Sequence, residues 1–217
     1  SYGKDLGNGC TFSSLLLDAA SSTGIRLLRF ATSHPRDFTP DVVDAMVRRG
    51  DVICPSINLP IQSGSDRILA MMNRKYTVEE YRRIVALIRS RLPGVGLTTD
   101  LIVGHPGETE EDFRKSMEVL EEFRFDLVHS AAYSPRAGTA AAAREDQVPQ
   151  EEKMERLNAV NRLQSTISLD LNRALTGRRF PVLLDDHAPR GEGLLQGRTP
   201  SDKVVIAEGG EDLLGRF

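Results

Sequence analysis

Cysteine is scarce in this chain and tryptophan is missing. Cys10 and Cys54 are too few and too far apart for a disulfide framework or a metal cluster, so both read as free thiols, with Cys54 a packing residue in an apolar segment. No apolar run reaches the roughly 18 residues that a membrane helix needs, and the start is not a charged-then-apolar signal peptide. A cytoplasmic protein with no membrane partner is the expectation. There is no excess of positive charge either: 28 Lys and Arg stand against 31 Asp and Glu, so a nucleic acid would have to be met by a local patch. The chain opens abruptly on "SYGKDLGNGCTF" and stops as abruptly on "EDLLGRF", which reads as a piece of a longer protein.

What the chain does have is an alternation of apolar runs and amphipathic stretches. Residues 11–22 read as a helix with Phe12, Leu15, Leu16 and Ala19 on one face. A strand is expected over 25–33, then a helix with Thr39 as N-cap, Pro40 at its first position and Gly50 at its end. "DVICPSINLPIQ" is the next strand, "SDRILAMMNR" a short helix, and "YTVEEYRRIVALIRSRLPG" a longer one opened by a Thr77-x-x-Glu80 capping box. "VGLTTDLIVG" is a strand, "HPGET" a turn, and the following helix has Thr109-x-x-Asp112 as its cap. "FDLVHSAAYSP" is a fourth strand. Strands separated by helices imply βα units and a parallel sheet. Residues 149–176 form a long bracing helix with Met154, Leu157, Val160, Leu163, Ile167 and Leu171 at helical spacing. Beyond Gly177, "RRFPVLLDD", "GEGLLQGRT" and "DKVVIAEG" alternate as a small antiparallel β domain does. The expected division is therefore 1–176 and 177–217.

In parallel α/β folds ligands bind at the carboxyl ends of the strands. The residues there are Thr32, Ser33 and His34; Gln62, Ser63 and Ser65; Asp100 with "GHPGET"; and Tyr133, Ser134 and Arg136. Ser65 and Thr109 also read as N-caps, and His34 before Pro35 as a surface turn residue. Gln62 and Asp100 are harder to explain without a ligand, because a polar group buried at a strand mouth without a partner costs on the order of 1 to 3 kcal/mol. Strand alternation sets Asp100 and Ile102 on one face and Leu101 and Val103 on the other; if the latter face the helices, the former face the barrel interior. A carboxylate there suits a ribose diol, and an aliphatic neighbour suits an adenine. "GHPGET" is also compatible with a phosphate cradle, against which Glu108, Glu110, Glu111 and Asp112 crowd the same helix start.

"SYGKD", "FATSHPRDFT", "NLPIQSGSDRILAMMNRKYT", "TTDLIVGHPGETEEDF" and "YSPRAGTAAA" resemble, in order and spacing, the radical S-adenosylmethionine methylthiotransferases. The closest likeness is to the tRNA branch, which adds a methylthio group to isopentenyl-adenosine beside the anticodon. "GRTPSDKVVIAEG" resembles the start of that family's RNA-binding TRAM domain. The resemblance implies an α/β fold, strands three to six of a partial (βα)6 radical SAM barrel, then an incomplete TRAM domain. It implies S-adenosylmethionine and two [4Fe-4S] clusters in the full-length protein, held by cysteine sets this chain lacks, so the chain alone should be inactive and contribute no metal ligands. It implies cleavage to a 5'-deoxyadenosyl radical, hydrogen abstraction from the adenine ring and insertion of methylated sulfur. The tRNA anticodon stem-loop is the implied partner and a monomer the implied full-length state, with the sulfur and electron donors unnamed.

Carried over by position, Gln62, Ser63, Asp100, Ile102 and Gly104 resemble cofactor-binding residues. Arg74 resembles an arginine that pairs with the methionyl carboxylate, a task its planar fork suits. His34, Arg36, Arg136, Arg198 and Lys203 are the candidate substrate or RNA contacts. His105 stands where relatives commonly have phenylalanine. The alternatives are a methylthiotransferase acting on a ribosomal protein or on threonylcarbamoyl-adenosine, a non-catalytic RNA-binding fragment, and an iron-free barrel enzyme for a phosphorylated small molecule.

Overall fold

Proline decides how much of the first half of the chain becomes regular strand. The computed structural model describes residues 2–3, 9–31 and 34–217, so Thr32, Ser33 and most of "SYGKD" lie outside the described residues. Helix α1 (Phe12–Ala20) opens on a capping box in which Thr11 Oγ1 accepts from the Ser14 N–H and Ser14 Oγ accepts from the Thr11 N–H. It buries Ser13, Leu16 and Ala20 and leaves Leu15 exposed, so its inward face is turned from the expected one. The strand expected over 25–33 is reduced to one parallel bridge, Leu28 to Ile53. The cause is local: the Cys54 carbonyl, which would extend the ladder, accepts instead from the Ser56 N–H at 2.8 Å, across Pro55. Helix α2 (Pro40–Arg48) begins on its proline, with Thr39 as N-cap.

The strand expected over 51–62 likewise shortens to β1 (Ser56–Asn58), flanked by Pro55 and Pro60, which have no N–H to donate. It pairs in parallel with β2 (Gly96–Val103), and β2 with β3 (Leu127–Ala132). At Pro60 the Thr99 hydroxyl repairs the ladder, accepting from the Ile61 N–H at 2.9 Å and donating to the Leu59 carbonyl at 2.8 Å. Pairing resumes at Gln62, whose N–H donates to the Asp100 carbonyl (2.9 Å) and whose carbonyl accepts from the Ile102 N–H (3.0 Å). Between the Asn58–Thr98 and Gln62–Leu101 partners the first segment carries one residue more than the second, a bulge. Gln62 absorbs it in a left-handed conformation, φ 69°, that non-glycine residues seldom adopt.

Helices α3 (Asp66–Met71), α4 (Val78–Arg91), α5 (Glu110–Phe123) and α6 (Gln150–Arg173) complete the α/β unit. Both expected capping boxes form, at Thr77–Glu80 and Thr109–Asp112. One core joins Leu59, Ile61, Leu97, Leu101, Val103 and Tyr81 to residues of the helices. Helix α6 departs from expectation. Its buried stripe is Lys153, Arg156, Val160, Gln164 and Ile167, while Met154 points outward. The polar members are turned inward by partners on other elements; Gln164 Nε2, for one, donates to the Phe125 carbonyl at 2.8 Å.

A separate antiparallel sheet follows, β4 (Leu183–His187), β5 (Leu194–Arg198) and β6 (Val204–Glu208), in that order. Its 199–203 turn sits against the amino-terminal ends of the parallel strands. Lys203 Nζ donates to Asp126 Oδ1 (2.6 Å) and Asn172 Oδ1 (3.0 Å), and Arg29 Nη2 donates to the Thr199 carbonyl (3.0 Å). Gly96, the first residue of β2, is so close that a Cβ there would lie 2.1 Å from the Ser201 oxygen. Among the described residues no helix is long and apolar enough to cross a membrane.

Candidate active site at the strand mouth

The alternation along β2 sorts its residues onto two faces. Thr99, Leu101 and Val103 are fully buried, and Thr98, Asp100 and Ile102 are half-buried on the opposite face. Backbone pairing brings Gln62 beside Asp100 and Ile102 at the carboxyl end of the sheet. Neither the Asp100 carboxylate nor the Gln62 amide has a hydrogen-bond partner among the described residues. A half-buried carboxylate left free at the mouth of a sheet is a group waiting for donors, and a ribose diol supplies two.

Helix α3 ends abruptly just before Arg74. Asn73 takes a left-handed conformation (φ 56°) and the Arg74 N–H donates back to the Leu69 carbonyl at 2.8 Å. Among the described residues no carboxylate pairs with the Arg74 guanidinium. Tyr76, two residues on, donates its hydroxyl to the Ile61 carbonyl at 2.9 Å, next to Gln62. Its ring meets His34 edge-on at 5.4 Å. Burial, and after it the nearby Arg74 charge, hold the His34 imidazole below its ordinary pKa. Backbone pairing thus brings Gln62, Asp100 and Ile102 together at the strand end next to Gly104, while Arg74 stands near His34.

Other candidates stand elsewhere. Ser63 is fully buried, with its hydroxyl 3.4 Å from Ser116 Oγ and accepting from the Ser65 N–H at 3.2 Å, so it serves the packing of α5 rather than the mouth. Arg36 and Arg136 are exposed. Arg198 Nη1 donates to Asp202 at 3.1 Å, and Lys203 is occupied in docking the antiparallel sheet. A cavity of about 560 Å³ lies to one side, lined by Cys10, Phe12, His34 and Asp41 among others but by none of Gln62, Arg74 and Asp100.

The "HPGET" turn is filled by the protein's own carboxylates. Glu108 Oε2 accepts from the Gly104 N–H at 2.6 Å and from Arg156 Nη1 at 2.7 Å, with both side chains almost wholly buried. Burial pushes the Glu108 carboxyl above its usual range against those two donors. Asp112 takes the start of α5, accepting from Ser65 Oγ and Thr109 Oγ1 at 2.6 Å each and pairing with Arg67, which also donates to the Gly107 carbonyl at 2.6 Å. No room is left for a phosphate on these donors. The capping reading of the turn holds, and the iron-free phosphate enzyme loses its cradle.

Burial alone would raise the Asp112 pKa, but the hydrogen bonds from Arg67, Ser65 and Thr109 outweigh it and hold the carboxyl well below the usual range. A depressed carboxylate contributes stability above its unfolded value of about 4 and loses it as pH falls through the folded value. Acid titration of stability should therefore be steeper below about pH 4 for the native protein than for Asp112→Asn. Parallel curves in that range would show that the network adds nothing.

The pattern described as the Radical SAM superfamily matches residues 12–120, from α1 through most of α5, half of the chain. The chain belongs to the radical SAM superfamily. This radical SAM chain is similar to tRNA-2-methylthio-N(6)-dimethylallyladenosine synthase of Acetivibrio thermocellus and of Moorella thermoacetica. It is 44% identical to each over 217 residues, which are 100% of this chain and 45% and 49% of those proteins. It thus spans about half the length of the curated relatives it matches. Coproporphyrinogen III oxidase of Escherichia coli, a solved radical SAM structure, covers 84% of this chain and 46% of its own at a TM-score of 0.54 and 14% identity, a likeness of fold alone.

Membership in the superfamily implies S-adenosylmethionine and iron-sulfur clusters. The open polar face at Asp100 and Gln62 fits the first. The clusters do not fit this chain: Cys54 is buried with its thiol pKa raised by desolvation, Cys10 stands alone in sequence, and no acidic, histidine or cysteine group able to hold a metal occurs among the described residues. Sequence reasoning missed the buried Glu108–Arg156 pair and Lys153, which lie against the turn after β2. Their signal was the helical spacing of Lys153 and Arg156 with Val160, Gln164 and Ile167 along one stripe of α6.

Proposed function

We propose that the full-length protein is a tRNA-modifying methylthiotransferase that adds a methylthio group to isopentenyl-adenosine next to the anticodon by radical S-adenosylmethionine chemistry. The observation that carries this reading is the 44% identity, without loss of any part of the chain, to proteins named for that modification. Within the reading this chain supplies the cofactor's seat. Asp100 accepts from the ribose hydroxyls, Gln62 hydrogen-bonds beside it, Arg74 meets the methionyl carboxylate, and Ile102 with the Gly104 backbone packs on adenine. The chain's work is binding and orientation, because the hard chemistry belongs to the cofactors. In this reading the cofactor lies on the half-buried face of β2, His34 and the exposed Arg36 are on the side from which substrate comes, and the antiparallel sheet after Gly177 holds the RNA.

The test is to reconstitute the full-length protein and incubate it with S-adenosylmethionine, a reductant and tRNA carrying isopentenyl-adenosine. Mass spectrometry of the nucleosides should show the methylthio derivative at that base. Cofactor cleavage with modification only of threonylcarbamoyl-adenosine or of a ribosomal protein would move the protein to one of the alternatives. RNA binding without any cofactor cleavage would leave it a binding module.

A further inference from the structure

The turn after β2 is closed on itself and tied to α6. Glu108 Oε2 accepts from the Gly104 N–H, four residues earlier, so the carboxylate bridges both ends of the Gly104–Glu108 turn. The same oxygen accepts from Arg156 Nη1, which also donates to the Glu108 backbone carbonyl at 3.2 Å. The Arg156 head is itself steered: it pairs with Glu152 one turn back on α6, lies 3.7 Å from Glu110, and stands over the Phe113 ring at 5.4 Å. Gly104 is pressed from the same side. It has φ 73°, and a Cβ added to it would be 2.3 Å from Lys153 Cγ.

From this arrangement we infer that Glu108 and Arg156 are positioning residues for the nucleoside end of the cofactor: α6, through the Arg156 fork, sets where the Gly104–His105 backbone stands at the mouth. The inference rests on the cofactor-site reading given above. Two features separate it from ordinary packing. Arg156 holds Glu108 through Nη1 and Glu152 through Nη2 at once, which a lysine, with a single nitrogen and no planar fork, cannot reproduce. The bridge also ends on the Gly104 N–H, at the residue adjoining Ile102–Val103, so a shift of the fork is carried directly to the backbone on which adenine would pack. Displacements of about 1 Å at such a support can cost on the order of a hundredfold in function.

The test uses the full-length protein with S-adenosylhomocysteine as the probe, so that binding is read without cluster chemistry. Arg156→Lys keeps the charge and should weaken binding by about tenfold, in the range seen when supporting hydrogen-bond partners of a site are altered. Glu108→Gln still offers an oxygen to the Gly104 N–H and should weaken it less. Because a broken buried pair can unfold the region, the double variant Glu108→Gln/Arg156→Met, which leaves no buried charge unpaired and only the partly exposed Glu152 without Arg156, is measured too and should match or exceed the loss in Arg156→Lys. Binding of unmodified tRNA serves as the readout that general loosening would also move, and it should stay unchanged. Asp100→Ala is run alongside. If it weakens the probe while the Arg156 and Glu108 variants bind as the native protein does, the positioning role is refuted; if Asp100→Ala also leaves binding unchanged, the cofactor-site reading itself is what fails. Equal losses of probe and tRNA binding would likewise refute positioning in favour of plain stability.

Discussion

Asp100→Ala should weaken S-adenosylmethionine binding by the full-length protein ten- to a hundredfold, the net loss of one hydrogen bond to a charged acceptor at about 1.5 to 3 kcal/mol. The same substitution should leave the unfolding midpoint in urea unchanged or slightly raised. The carboxylate has no protein partner among the described residues and is half-buried, so in the empty protein it costs desolvation and gives nothing back. Weaker binding with undiminished stability is the signature of a group held for a ligand. Gln62→Gly should behave alike, since glycine relieves the left-handed backbone at φ 69° while removing the amide. Cofactor affinity equal to the native protein's in both variants would refute the proposed seat.

The second large effect is on stability. Gly64→Ala should destabilise the protein by about 3 kcal/mol or more, because the added carbon has no space and a buried donor is displaced. A Cβ at Gly64 would fall 2.4 Å from the Lys115 oxygen and 2.5 Å from the Ser116 Cα, both backbone atoms of α5. The Gly64 N–H also donates to Ser116 Oγ at 2.9 Å, a bond that cannot survive if the loop retreats. This is why a strand ending on Gln62 is followed by Ser-Gly-Ser: the loop must pass directly over a helix backbone before Ser65, bonded to Asp112, opens α3. A urea midpoint for Gly64→Ala equal to the native one would show that α5 yields without cost.

Local patterns in the sequence translated well into structure. Both Thr-x-x-acid boxes became helix starts, and the three segments after Gly177 became an antiparallel sheet, because each rests on residues a few positions apart. The β2 alternation also put Asp100 and Ile102 on one face, a consequence of the two-residue strand period. What could not be read were contacts made by residues far apart in the chain. Thr99 repairs the ladder at Pro60, and nothing near Pro60 announces it. The strand over 25–33 failed because one carbonyl was taken by a turn at Pro55. Lys203, a candidate RNA contact by its place in the sequence, is bonded to Asp126, just ahead of β3. On α6 the apolar spacing marks Val160 and Ile167, but Lys153, Arg156 and Gln164 share their stripe because partners on other elements turn them inward.

The docking of the 199–203 turn has a consequence of scale. It meets Gly96 and Asp126, where β2 and β3 begin, whereas Asp100 to Gly104 lie toward the other end of β2. From Gly96 to Val103 β2 takes seven steps of about 3.3 Å, so roughly 23 Å separates the two ends. A molecule touching both the turn and the mouth must bridge that interval, and the rigid strand between them works as a fixed caliper. Lengthening the strand or loosening the turn would change which point on a long partner arrives at the mouth, without altering a single residue there.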